Sequence, residues 1–355
     1  MVALATTSIA WLILAIIVTG WVVYAFANIR SSRSELGSEI ELAANRKPYY
    51  DDETLEGPRL ERLQVLGVLL LIVVVIGLPA YWILEPDRQA GATEGMEERF
   101  VDWGALLFAP TGENISAFNC AGCHGGMNAV GGEAPYNVTD PATGEVQSVL
   151  WKAPALNTVF YRFDEDEVRF ILVYGRPFSP MSPWGLEGGG PMNHQQIDTL
   201  LSYIKSIQIP REDCAQGEDD PLTCPSGHLP ADMQGDIEAA ARASVEDGTY
   251  ASYGEALFNL ELSSGAYSCA RCHTQGWSYD DPGVPGQGAF GWNLTGGSVN
   301  AHFPNEADMT SFIESGSVLG ARYGMQAQGS GRMPGFGAML TDEQIAAIVD
   351  YVRGL

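Results

Sequence analysis

Positive charge is scarce in this 355-residue chain. Nineteen Lys and Arg face 44 Asp and Glu, giving a net charge of −25 and a pI near 4.4. A nucleic-acid backbone would repel such a chain, and so would an anionic lipid face, so neither is an expected partner. A basic or locally complementary protein surface suits it better. Histidine is scarce too, with five residues, and cysteine numbers six. Charge is missing altogether from the run 9–29, and no Lys or Arg precedes that run. A secretory signal peptide would want a basic segment there. Ala25-Phe26-Ala27 resembles a cleavage site, but the missing basic segment favours a retained helix.

Four of the six cysteines and two of the five histidines fall into two short stretches, Cys120-Ala-Gly-Cys123-His124 and Cys269-Ala-Arg-Cys272-His273. Cys-x-x-Cys-His is the attachment signature of a c-type haem. Two thiols one helical turn apart can form thioethers with the two vinyl groups of one porphyrin, and the adjacent imidazole then reaches the iron. A zinc site would need four ligands gathered in space and would leave the His after each pair unexplained. The pattern predicts two covalently attached c-type haems, with His124 and His273 as iron ligands.

Two apolar runs, 9–29 and 63–84, dominate the first hundred residues. Each is long enough for a helix to cross the ~30 Å hydrocarbon layer. Trp11, Trp21 and Tyr24 in the first, and Tyr81-Trp82 in the second, suit the membrane interface. Arg30, Arg33, Arg46, Lys47, Arg59 and Arg62 cluster in and beside the intervening loop. Positive-inside logic puts that loop in the cytoplasm and both haem motifs outside, in a multi-pass cell-membrane protein. The Pro- and acid-rich stretch 49–58 reads as surface or partner contact. An oxidising exterior lets the remaining cysteines, Cys214 and Cys224, form a disulfide.

Beyond a polar stalk the chain repeats itself. Gly104-Ala-Leu-Leu-Phe108 precedes the first motif and Gly254-Glu-Ala-Leu-Phe258 the second. Each unit closes with an amphipathic pattern: Ile197, Leu200, Leu201 and Ile204 match Ile345, Ile348, Val349 and Val352 at i, i+3, i+4, i+7. Asn193-x-x-Gln196 and Thr341-x-x-Gln344 resemble capping boxes at the starts of these helices. The segment 209–233 lacks periodicity and reads as a linker holding Cys214 and Cys224. The first unit carries an extra stretch, 136–150, whose 141–144 turn could close a small hairpin.

A haem with a sixth ligand from the protein is closed for electron transfer, and a Met thioether also raises its potential. Met181 in Pro180-Met181-Ser182-Pro183-Trp184-Gly185 and Met333 in Arg332-Met333-Pro334-Gly335-Phe336-Gly337 share a Met-x-x-aromatic-Gly pattern just before the closing helix. They are the expected ligands. Met325 competes with Met333, because 317–332 is an insertion relative to the first unit. Met127 is too near His124 to reach the opposite haem face, and Met192, Met309 and Met339 read as core. His194, His228 and His302 read as surface residues.

With these motifs in place, residues 101–208 and 250–355 each resemble a class I cytochrome c domain. The likeness covers the N-terminal helix, the Cys-x-x-Cys-His, a loop at Pro154-Ala155-Leu156 or Trp292-Asn293-Leu294, a third helix, the Met loop and the closing helix. The whole plan is similar to the dihaem subunit of cbb3-type cytochrome oxidases, and also to the dihaem c subunit of actinobacterial quinol:cytochrome c reductases. In the latter family the anchor follows the haem domains.

The expected architecture is all-α: transmembrane helices at 1–30 and 63–85 flank a cytoplasmic loop, 31–62. A stalk, 86–100, then leads to cytochrome c domains at 101–208 and 236–355 joined by a disulfide-bearing linker, 209–235. The implied role is an electron relay in a respiratory membrane complex containing cytochrome b and Rieske or haem–copper oxidase subunits. A dihaem cytochrome c peroxidase is the enzymatic alternative. It needs one haem that opens its sixth position, which the matched Met loops oppose. A haem-based gas sensor would need a signalling domain, and none is apparent.

Overall fold

The computed structural model describes residues 2–32, 58–139, 144–176, 179–218, 220–222, 224–274, 291–317 and 333–355. Arg33, Arg46 and Lys47 of the basic loop, the 49–57 stretch, most of the 141–144 turn and Met325 lie outside them. The chain forms two compact units, Met1–Met96 and Glu97–Leu355.

The first unit is built from α1 (Val2–Ser32) and most of α2 (Pro58–Phe108). Proline opens α2, where its missing N–H costs nothing, and Glu61 lies in the positive first turn. The apolar side chains Leu63, Leu69, Val73 and Leu78 stand exposed around the helix, as do Leu12, Ile16 and Val23 on α1. Among the described residues, α2 from Leu60 is the helix long and apolar enough to cross a membrane, and the apolar stretch of α1, Trp11–Ala27, is shorter. The expected stalk is helical. Its Glu, Gln, Arg and Ala are good helix formers, Arg88 pairs with Glu85 at 2.6 Å, and Pro79 and Pro86 are accommodated within α2.

The second unit is mostly helical and contains two hydrophobic cores. The first takes the C-terminal end of α2, α3 (Cys120–His124), α4 (Glu165–Tyr174) and α5 (His194–Ser206), and the hairpin β1 (Gly132–Thr139) and β2 (Val146–Ala153) lies outside that core, packed against α3. The second takes α6 (Ala231–Glu246), α7 (Tyr253–Phe258), α8 (Ala270–His273), α9 (Ser298–His302), α10 (Glu306–Ser315) and α11 (Asp342–Arg353). We call these the first and second lobes. The small hairpin suggested for 136–150 is present and longer than that stretch, an addition to an otherwise helical unit: its strands pair antiparallel from Gly132–Ala153 to Thr139–Val146. Both capping boxes are formed, at Asn193/Gln196 and Thr341/Gln344.

In both lobes the opening helix crosses the closing helix at a glycine. A Cβ on Gly104 would run into the Thr199 carbonyl and the Tyr203 Cβ, and one on Gly254 into the Ala347 carbonyl and the Tyr351 Cβ. One turn on, Phe108 packs on Tyr203 with ring centroids 5.1 Å apart, and Phe258 on Tyr351 at 5.4 Å. The repeated Gly-x-x-x-Phe is therefore a close-approach motif. Gly104→Ala or Gly254→Ala should cost about 1–3 kcal/mol by forcing the helices apart, although Ala is the better helix former. Chemical denaturation of the haem-loaded protein reads this loss.

The linker is more ordered than its composition suggests. Cys214 and Cys224 are joined in a disulfide. Arg211 donates to the carbonyls of Phe160 and Cys224, the Tyr161 hydroxyl donates to the Pro210 carbonyl, and the Leu229 amide donates to the Ala338 carbonyl. These bonds stitch the linker to both lobes. Its last part belongs to α6, whose Ile237 and Ala241 are fully buried in the second core. Replacing both cysteines by Ser should lower unfolding stability by roughly 2–3 kcal/mol, the loop-closure value for so short a loop. Equilibrium unfolding with and without reductant checks it.

Candidate haem centres

The Cys-x-x-Cys-His segments are short helices, so the two cysteines of each, three residues apart, lie one turn apart on the same face. Burial pushes the Cys120 and Cys269 thiols up to about 12, and raises those of Cys123 and Cys272 as well. Thiol-exchange pairs work through lowered pKa values. The raised values argue against an exchange pair at either motif.

Each imidazole is oriented by a backbone carbonyl. His124 Nδ1 lies 2.9 Å from the Pro154 oxygen, and His273 Nδ1 lies 2.7 Å from the Trp292 oxygen. Donation from Nδ1–H fixes the tautomer with Nε2 bare, the form that binds metal. The two carbonyls come from the loops that the repeat had aligned, Pro154-Ala155-Leu156 and Trp292-Asn293-Leu294. Burial lowers the pKa of His124 to about 4 and lowers that of His273, keeping both rings neutral.

The Met loops also correspond bond for bond. α4 ends at Gly175, with φ 70° and ψ −170°, and α10 ends at Gly316, with φ 74° and ψ −172°. This region is essentially open to glycine alone. It lets the following residue turn back, so the Arg176 amide donates to the Met181 carbonyl and the Ser317 amide to the Met333 carbonyl, both at 2.8 Å. Further along, the Trp184 and Gly185 amides bond to the Leu172 and Val173 carbonyls, and the Phe336 and Gly337 amides to the Ile313 and Glu314 carbonyls. Met-x-x-aromatic-Gly is thus the segment that lays the loop over the end of a helix. A Cβ on Gly316 would crowd Gly335, Pro334 and the Met333 carbonyl. Gly316→Ala should displace Met333 and, with Met333 as the expected ligand, weaken the near-infrared sulfur-to-iron band of the oxidised haem-loaded protein.

One cavity is lined by Cys120, Cys123, His124 and Met181 of the first lobe and by Cys269, Cys272, His273 and Met333 of the second. Phe108, Leu156, Val168, Leu172, Leu200 and Phe336 supply apolar wall. In each lobe two thiols, an imidazole and a thioether sulphur face an apolar crevice, a donor set that fits a c-type haem. The group itself would supply reversible one-electron chemistry at iron. The hairpin, whose purpose the sequence leaves open, forms part of the wall through Ala134, Trp151 and Ala153.

Of the other candidates, Met192, Met309 and Met339 are core residues, as read. His194 is exposed and pairs with Glu187 at 2.7 Å, and His228 is exposed. His302 is a correction: it is buried, stacked on Trp292 at 5.7 Å and edge-on to Phe303, because α9 turns it inward. Gly175, Gly316 and the cavity-lining arginines were missed, although the glycines share a place after an amphipathic helix.

Both lobes carry an opening helix, a Cys-x-x-Cys-His, a carbonyl-held imidazole, a glycine-anchored Met loop and a crossing closing helix. Residues 254–352 match the family described as cytochrome c oxidase, cbb3-type, subunit III, which makes that region a cytochrome c domain with a covalently bound haem. No curated protein and no solved structure matches the chain.

Proposed function

We propose that the chain is a membrane-tethered dihaem c-type cytochrome that relays electrons within a respiratory complex. The observation that carries this reading is the second set of haem-binding elements in the first lobe, which faces the same cavity as the set in the cytochrome c domain. On this reading 101–208 is a second such domain. Cys120, Cys123, Cys269 and Cys272 hold two haems, His124 and His273 are the proximal ligands, and Met181 and Met333 close the sixth positions. The apolar helices α1 and α2 tether the haems outside the membrane, with the 31–62 loop in the cytoplasm. Two haems side by side suit a relay across a distance too long for one.

The host is a quinol:cytochrome c reductase or a haem–copper oxidase. The family match supports a respiratory partner and bears on the cytochrome c domain alone, so the host is for experiment to choose. An acidic exterior would steer a complementary carrier, with association that weakens as salt screens it. Mild extraction from native membranes should recover companion subunits, and added quinol should reduce the haems there. Cytochrome b and Rieske subunits identify the reductase, and a copper–haem subunit alone the oxidase. A chain recovered alone, with haems that quinol cannot reduce in native membranes, would refute the relay. The peroxidase alternative predicts a haem that binds CO on reduction in the unmodified protein.

A further inference from the structure

Among the described residues, Ser263 and Ser264 are the only chain neighbours with side chains that both hold a positive φ, 52° and 51°, each with ψ 42°. In this left-handed region a Cβ crowds the following carbonyl, so glycine is the usual occupant and two serines in a row are strained. Such residues persist where the surroundings over-determine them, and they gather at functional sites.

Here the surroundings come from both lobes. The Ser263 carbonyl accepts from the Ala155 amide of the first lobe at 3.3 Å, and from Ala266 of its own lobe at 3.2 Å. Ala155 follows Pro154, whose carbonyl lies 2.9 Å from His124 Nδ1. The Ser264 carbonyl accepts from Arg271 Nη1 at 3.1 Å, and Arg271 stands between the attachment cysteines Cys269 and Cys272. Arg271 also donates to the Lys152 carbonyl, and Lys152 Nζ donates at 3.2 Å to Glu261, two residues before the turn. Gly131 closes this seam from the other side. Its amide donates to the His124 carbonyl at 2.9 Å, its φ is 94°, and a Cβ on it would meet the Ser263 carbonyl at 2.8 Å. Successive carbonyls of one strained turn therefore serve the imidazole-holding loop of one centre and the attachment motif of the other. Leaving the left-handed region would turn both carbonyls away.

We propose that the Ser263-Ser264 turn is a positioning element shared by the two centres, through which the second lobe sets the orientation of His124 in the first. This deepens the two-haem reading above and rests on it. Its consequence is a redox effect carried between lobes. A firm hydrogen bond from Nδ1 to the Pro154 carbonyl makes the imidazole a more basic ligand, which favours ferric iron. Loosening the turn frees the Pro154-Ala155 loop, weakens that bond and raises the potential of the first-lobe haem.

The test uses the full-length haem-loaded protein and its S263V/S264V, S264V and S263N/S264N variants, titrated spectroelectrochemically. The two components are assigned through Met181→Ala and Met333→Ala. A branched Cβ makes valine an outlier in the left-handed region, whereas asparagine enters it readily. S263V/S264V should raise the ferrous-to-ferric ratio of the first-lobe haem at fixed potential about threefold, ~28 mV for one electron. Protection of the Ala155 amide from hydrogen exchange should fall with it. S263N/S264N should stay near the unmodified protein in both measurements. If S263V/S264V fails to assemble, S264V carries the test, with a shift in the same sense. Two bound haems with an unchanged first-lobe curve, or with a shift confined to the second-lobe haem, would overturn the shared turn. So would an S263N/S264N curve displaced as far as that of S263V/S264V. A haem count other than two in the unmodified protein would instead refute the underlying reading, and the shared turn with it.

Discussion

If the proposed dihaem reading holds, Met181→Ala and Met333→Ala will each convert one of two closed haems into a CO-binding one. In the unmodified protein both sulphurs face the cavity, and each loop is pinned by the same bond from the residue after a left-handed glycine. Removing the thioether leaves the imidazole alone on the iron, so the sixth position opens and the potential falls, because the soft sulphur favours the ferrous state. Each variant should lose about half of the near-infrared sulfur-to-iron band and should gain a CO difference spectrum from one haem. One of two midpoint potentials should drop while the other stays near its original value. Met325→Ala should leave all of these unchanged. If Met325→Ala opens a haem and Met333→Ala does not, the assignment in the second lobe is wrong.

On the same reading, replacing Cys269 and Cys272 together by Ala will release one haem from covalent attachment and leave the other. Both thiols face the cavity, and Cys269 and Ala270 belong to the second core, beside Tyr267 and Ile313. Without thioethers the porphyrin is held only by ligation and packing, so acid–acetone should extract it and about half of the covalent haem should remain per chain. The second lobe should then become the more readily proteolysed part, since ligand binding to the folded state alone is folding stability. Cys120→Ala with Cys123→Ala should give the mirror result. Retention of two acid-stable haems in either double variant would contradict the attachment sites.

The repeat of the two lobes was legible because its motifs keep fixed residues at fixed spacing. Cys-x-x-Cys-His leaves little freedom, and the closing helices announce themselves through Ile197, Leu200, Leu201 and Ile204 and their second copy. The Gly-x-x-x-Phe repeat was visible as a repeat, but its meaning needed the helix crossing, which depends on the Thr199 and Ala347 carbonyls far along the chain. The stalk is polar on every side, so hydrophobic periodicity could not reveal that it continues a helix. α6 was hidden for another reason: it follows directly on a Pro- and acid-rich stretch, and its buried face rests on small residues such as Ala241. The shared cavity could not be read at all, because residues as far apart as Lys152 and Glu261, 109 positions along the chain, meet only through the packing of the lobes. His302 misled because a lone histidine in a polar loop carries no signal of its stacking partner.

The central claim is that one chain carries two covalent haems, and the most direct test is the intact mass of the protein extracted from membranes after acid–acetone treatment. The account predicts the mass of the polypeptide plus two haems. A mass showing a single haem, with the unmodified Cys120 and Cys123 thiols still open to alkylation, would contradict it.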